Sequence, residues 1–149
     1  MIRKLHAWVR REDGAALLEM ALTLPLLLVV SVSIFEFGRV YQTWQVLTNA
    51  AREGARVAVL PNVDDAAVLD RVKTYIAAGQ LPPIDDNQVT INRNTTVTIG
   101  AGVTAPASLV DIQYPFTFIV MQPVAKLLVS NSTVGAALTL RASATMRNE

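Results

Sequence analysis

The chain has 149 residues, 52% of them hydrophobic, with one histidine, no cysteine and a formal net charge of +1 at pH 7. That length suits one domain plus an appendage. A near-neutral balance without a basic block or aromatic–basic interleave argues against a nucleic-acid partner. The missing cysteines exclude disulfides and thiol chemistry without fixing a compartment.

The charge is uneven along the chain. Residues 1–14 form a basic leader, with Arg3, Lys4, Arg10 and Arg11 against Glu12 and Asp13. Ala15 to Phe37 is then mostly Ala, Leu, Val, Met and Phe, broken by Glu19, Thr23, Pro25, Ser31, Ser33 and Glu36. As a helix this stretch is about 34 Å long, enough to cross a hydrocarbon core of about 30 Å. Pro25 would kink it or mark a short non-helical break. The run LPLLLVV is apolar all round, which favours a transmembrane helix over the core helix of a soluble domain.

The helical period continues past Phe37. Val40, Trp44, Leu47, Ala51, Gly54 or Ala55, and Ala58 recur at steps of three and four, with Arg39, Gln42, Gln45, Arg52, Glu53 and Arg56 between them. Leu60-Pro61 should end the segment, giving one helix over about 15–60 whose second half lies on a globular domain. Asp64 or Asn62 caps a second helix with the stripe Val68, Leu69, Val72 and Ile76, closed by Gly79. Residues 81–87, LPPIDDN, read as a loop. Residues 88–93 then alternate as a strand, and 95–99 either continue it or return as a hairpin partner. Residues 100–108, GAGVTAPAS, read as a flexible loop. The clearest strand covers 110–120, with Pro115 suggesting an edge or a bulge. Residues 123–132 suit a short helix, and 138–147 a last strand. Each strand has one apolar face, so the expected fold is α+β. A long N-terminal helix should pack its amphipathic half on a small antiparallel sheet.

Glu19 sets the functional problem. A carboxylate at mid-bilayer costs about 2.5–3.5 kcal/mol on insertion scales, so it must lie outside the hydrocarbon or be compensated. A secretory signal would place a small-residue cleavage site after the apolar run, yet the sequence there is SIFEFGRVYQ. The small residues Gly14, Ala15 and Ala16 stand before the run instead. A plain uncleaved anchor explains the leader and the run, but not Gly14 with Glu19 at that spacing.

Gly14, Ala15 and Glu19 ahead of an apolar helix resemble the class III signal of type IV pilins and pseudopilins. GAALLEMALTLPLLL, FEFGRVYQTWQVLTNAAREGARVA and the closing LRASATMRNE resemble TadE-like minor pseudopilins of the tight-adherence (Tad/Flp) pilus system. The resemblance covers most of 11–60 and the last strand. Ala15 departs from the broader pilin pattern, where an aromatic often stands, but TadE-like chains tolerate small residues there. The resemblance implies a pilin-like fold and a basic cytoplasmic leader, 1–14, cut after Gly14 by a prepilin peptidase. It further implies a transmembrane helix, 15–37, retained in the bacterial inner membrane, and a periplasmic α+β domain, 38–149. The implied partners are the peptidase, other pilin or pseudopilin subunits, inner-membrane assembly proteins and the membrane. Glu19 becomes an assembly group, pairing with the new N-terminal amine of a neighbouring subunit. Its alternative is solvation at the headgroup level.

Other residues have a structural and a functional reading. Glu36 and Arg39, one turn apart, form an interfacial pair or a partner contact. Arg52 and Gly54, within NAAREGAR, serve packing on the chain's own sheet or against a neighbouring pilin. Tyr41 and Trp44 are interface anchors or core. No catalytic set emerges. His6 lies in the leader, there is no phosphate loop or nucleophile elbow, and Asp64-Asp65 and Asp85-Asp86 read as a helix cap and a solvated loop rather than a calcium site. No cofactor, metal or enzyme activity is expected. The rival class is an uncleaved single-pass anchor displaying a binding domain, with loops 81–87 and 100–108 presenting the site.

Overall fold

The computed structural model describes residues 11–148 apart from 101, 129 and 132. Arg3, Lys4, His6 and Arg10 of the leader lie outside the described residues. Helix α1 spans Arg11–Ala58, α2 Asp65–Ala78 and α3 Met121–Leu128; strands β1, β2 and β3 span Val89–Gly100, Val103–Phe116 and Leu138–Arg147. The contacts divide the described chain into two units. One holds the residues up to Phe37 with Ile119–Gly135, and the other holds Gly38–Phe118 with the chain from Ala136 onward.

In the first unit, α1 is assigned through Pro25 without the non-helical break that the proline allowed. The helix also includes the described residues upstream of Ala15, from Arg11. The clearest strand ends at Phe116 rather than at residue 120. Beyond it the backbone amides of Ile119 and Val120 turn to the Glu36 carboxylate instead of a neighbouring strand. The short helix therefore begins at Met121, with Pro123 in its first turn, where a missing N–H costs nothing.

In the second unit the sheet order is β1-β2-β3, antiparallel throughout. The rest of α1 and α2 build a core with it, from Leu47, Ala51 and Ala55 through Val68, Val72 and Ile76 to Val110, Ile112 and Leu140. The end of α1 comes at Ala58, two residues before the Leu60-Pro61 signal. Asn62 takes a left-handed φ of 60° in the turn, and Asp64 is the cap of α2, accepting the Ala67 N–H at 2.9 Å. This settles which of the two residues caps.

Residues 95–99 continue β1, and Val103–Ser108, expected in a loop, belong to β2. The turn itself needs only the glycines: Gly100 and Gly102 hold φ of 131° and 80°, conformations that side chains resist. The central strand carries two prolines, and both sit where regular pairing with one neighbour stops, although the Pro106 carbonyl still accepts the Asn148 N–H at 2.9 Å. Pro106 faces Thr96 of β1 just before pairing with β3 begins at Ala107. Pro115 faces Thr139 of β3 beyond Ile112, where pairing with β1 ends. The edge signal of Pro115 thus reports a strand end rather than an edge strand.

Candidate functional site

The apolar part of α1 is exposed along its length. From Leu17 to Leu28 its leucines are between 51% and 71% accessible, and no residue from 14 to 31 is buried. The helix is long and apolar enough to cross a membrane. Its hydroxyls are already satisfied inside the helix. Thr23 donates to the Glu19 carbonyl at 2.9 Å, Ser31 to that of Leu27 at 2.8 Å and Ser33 to that of Val29 at 2.7 Å. In hydrocarbon, where water cannot serve these groups, such internal bonds are what a spanning helix requires.

Gly14 and Ala15 are exposed and helical, and nothing lies within 4 Å of a Cβ built on Gly14. Glu19 is also exposed, one turn from Ala15 on the same face. Among the described residues no ion pair reaches its carboxylate. The first turns of α1 therefore present an open small-residue pair followed by an open carboxylate.

Glu36 differs from Glu19 in every respect. It is fully buried, and its Oε1 accepts from the backbone N–H groups of Ile119 at 2.8 Å and Val120 at 2.6 Å. Charge-assisted bonds of this length are roughly twice as strong as neutral ones. A carboxylate at the end of an apolar run looked like an interfacial group. No local pattern announced that its acceptors' partners lie more than 80 residues away, because amides carry no side-chain signature.

Arg39 lies in the second unit, its guanidinium 5.2 Å from the centre of the Phe116 ring, which meets Phe118 edge-on at 5.3 Å. Arg39, Thr43, Pro82, Tyr114 and Phe116 line a small hollow of about 180 Å³. Tyr114 donates weakly to the Pro82 carbonyl at 3.5 Å, and burial pushes its phenol above the usual value of 10.0. Tyr41 and Trp44, 6.4 Å apart, both keep much of their surface exposed, and Tyr41 Oη receives the Gln45 amide at 2.6 Å.

Arg52 is exposed, whereas Gly54 is spent on internal packing. A Cβ on Gly54 would sit 2.6 Å from Val72 Cγ2 and 3.3 Å from Val110 Cγ1. Only glycine lets α1, α2 and β2 approach this closely. Loop 81–87 gains order from the turn at Asp86–Gln88, where the Asp85 N–H bonds Gln88 Oε1 at 2.8 Å and Lys73 pairs with Asp86.

Sequence reasoning also missed Arg93. An extra residue bulges out of β1 between Asn92 and Thr95. It aims Arg93 at two partners, Asp65 through Nε at 2.8 Å and the Ala58 carbonyl through Nη1 at 2.8 Å. The arginine thereby closes the C-terminus of α1 and the first turn of α2 together. A basic residue in an alternating strand gives no sign of that task.

Among the described residues, no three of His, Cys, Asp and Glu gather into a group able to hold a metal ion. Comparison with known proteins adds one finding: residues 14–56 match the family model for TadE-like protein. The matched stretch contains Gly14, Ala15, Glu19, Glu36, Arg39, Arg52 and Gly54. No curated protein and no solved structure matches the chain.

Proposed function

We propose that this chain is a structural subunit of a Tad pilus system, a minor pseudopilin that acts in pilus assembly or initiation and in surface adherence. The supporting observation is the exposed apolar helix headed by Gly14-Ala15, with Glu19 open one turn further in. In this reading the helix over 15–37 is held in the inner membrane with the leader cytoplasmic, since basic residues precede it. The domain after Phe37 faces the periplasm. Prepilin peptidase cuts between Gly14 and Ala15, and the partners are other pilin subunits and inner-membrane assembly proteins. The role is one of packing, not catalysis.

Cleavage gives Glu19 its chemistry. It frees an α-amine on Ala15, protonated below a pKa of about 8. A lone charge taken into a low-dielectric surround costs several kcal/mol, while an ion pair recovers much of that. An exposed Glu19 in a single chain therefore favours docking with the amine of a neighbour. Glu19→Ala should leave membrane insertion unchanged and lower incorporation into assemblies; normal incorporation would remove Glu19 from the mechanism.

N-terminal mass spectrometry of the membrane protein, with and without active peptidase, tests the whole reading. A mature chain beginning at Ala15 only when the peptidase is active supports the pseudopilin. A chain beginning at Met1 in both cases overturns it in favour of an uncleaved anchor displaying a binding domain.

A further inference from the structure

The segment Ile119–Gly135 contributes no strand to the sheet and contains α3. Nine of its 17 residues are Ala, Val, Ile, Leu or Met, and Lys126 is its one charged residue. It shares a unit with the apolar part of α1. The Glu36 carboxylate joins the two, gripping the amides of Ile119 and Val120 that lead into α3. At its other end the segment folds back on the start of α3. Gly135 holds a φ of 73°, and a Cβ there would sit 2.6 Å from the Gln122 nitrogen. The segment is thus a closed loop fastened to α1 at residue 36.

Residue 36 lies where the apolar run ends. Phe35 and Phe37, each 60% exposed, flank it. The loop carries the same kind of surface as the run. Ile119, which precedes α3, and Val134, near the end of the segment, are 61% and 58% exposed. Within α3, helical spacing places Met121 and Val124 on one face and Gln122 with Lys126 on another. An amphipathic helix with a cation on its polar side suits the boundary between headgroups and acyl chains.

The geometry points to Ile119–Gly135 as an interfacial foot that lies on the outer headgroup layer of the bilayer crossed by α1. Lipid is favoured over a protein partner because this surface continues one that is apolar all round. Its one charge, moreover, has the sign that anionic headgroups attract. Glu36 is then a positioning residue. It spends an acceptor oxygen inside the protein, holding the foot at the depth where the helix leaves hydrocarbon. A lipid contact at a second point would fix the rotation of α1 about its own axis, which a lone apolar helix leaves free. The inference rests on the reading of 15–37 as a membrane span.

The absence of cysteine makes the test direct. Single variants Ile119→Cys, Val134→Cys, Leu27→Cys and Thr96→Cys of the full chain carry an environment-sensitive fluorophore in vesicles of phosphatidylethanolamine and phosphatidylglycerol. Nitroxide lipids, labelled either near the headgroup or deep in the chain, act as quenchers. The expected result is blue-shifted emission at 119 and 134, quenched by the shallow nitroxide, with Leu27 quenched by the deep one and Thr96 by neither. Labels at 119 and 134 that behave like Thr96 while Leu27 is quenched overturn the foot and leave the span intact. A blue shift without quenching means coverage by protein and also overturns it. An unquenched Leu27 removes the span and the foot together. Glu36→Ala should abolish shallow quenching at 119 while leaving Leu27 unchanged; undiminished quenching at 119 overturns the positioning role.

Discussion

Two stretches of α1 share a backbone geometry and use opposite side chains. Residues 14–31 carry leucines that no described residue buries, whereas residues 47–58 bury Leu47, Ala50, Ala51, Gly54, Ala55 and Ala58. Large apolar residues are outside in the first stretch and, apart from Leu47, small ones are inside in the second, the reverse of the usual order in a soluble domain. In the membrane reading proposed above, the difference lies in what each stretch meets. Lipid tails accept any large apolar side chain without demanding a shape. A helix laid across a sheet and a second helix must have small residues where the backbones converge.

The largest expected effect breaks the first half of that comparison. Leu27→Arg puts a charge midway along the exposed run and should cost about 2.5–3.5 kcal/mol of insertion free energy. Alkaline extraction of membranes would then release the variant, while Gln45→Arg, an exposed change in the other stretch, would stay bound.

The second half is broken by bulk rather than charge. In Gly54→Val even the first added carbon falls 2.6 Å from Val72, so overpacking should cost about 1–3 kcal/mol. Gly38→Ala, with nothing within 4 Å, should instead gain up to about 1 kcal/mol from helix propensity. Thermal unfolding of the full chain in detergent, followed by circular dichroism, reads both, and equal effects from the two glycines would remove the distinction.

These glycines and leucines mark how far the sequence carries. Period and hydropathy were enough for the long helix, the stripe Val68, Val72 and Ile76, and the last strand, because each is a repeated local pattern. Residues 103–108 read as a loop from sequence because Ala, Pro and Ser are weak strand formers. Pairing with Thr95–Thr98 on β1 overrides that preference. Gly14, Ala15 and Glu19 form a contiguous pattern that sequence can display, and the structure leaves all three exposed. The grip of Glu36 on Ile119 and Val120 was not legible, since it joins distant backbone to a side chain that looked like a surface acid. Arg93 escaped for the same reason, and because a bulge shifts the alternation that would have assigned its face.

Arg93 provides a smaller test of how the packed stretch ends. Arg93→Ala removes the bonds to Ala58 and Asp65 and should cost about 1–2 kcal/mol, since a part-buried cation is lost from a helix C-terminus. Arg93→Lys should recover only part of it, because one ammonium cannot reproduce the guanidinium fork. Chemical denaturation of the two variants checks the order; a lysine variant as stable as the parent would mean that charge alone suffices.

The smallest effect concerns Tyr114, packed in the same unit. Its bond to the Pro82 carbonyl, at 3.5 Å, is at the limit of useful length, so Tyr114→Phe should change stability at neutral pH by no more than about 0.5 kcal/mol. The pH dependence is more informative. Burial raises the folded phenol above its ordinary value of 10.0, so folding favours the protonated form. The stability this contributes is fully present below pH 10.0 and is lost as pH rises through the folded pKa. Lysines titrate in the same range, so the quantity to measure is the difference between parent and Tyr114→Phe in thermal midpoint as pH rises. That difference should be flat below the ordinary phenol value and move in favour of the phenylalanine variant above it. Parallel curves throughout would mean that Tyr114 reaches solvent when it ionises, and that the packing around Phe116 and Pro82 opens more readily than the core beneath Gly54.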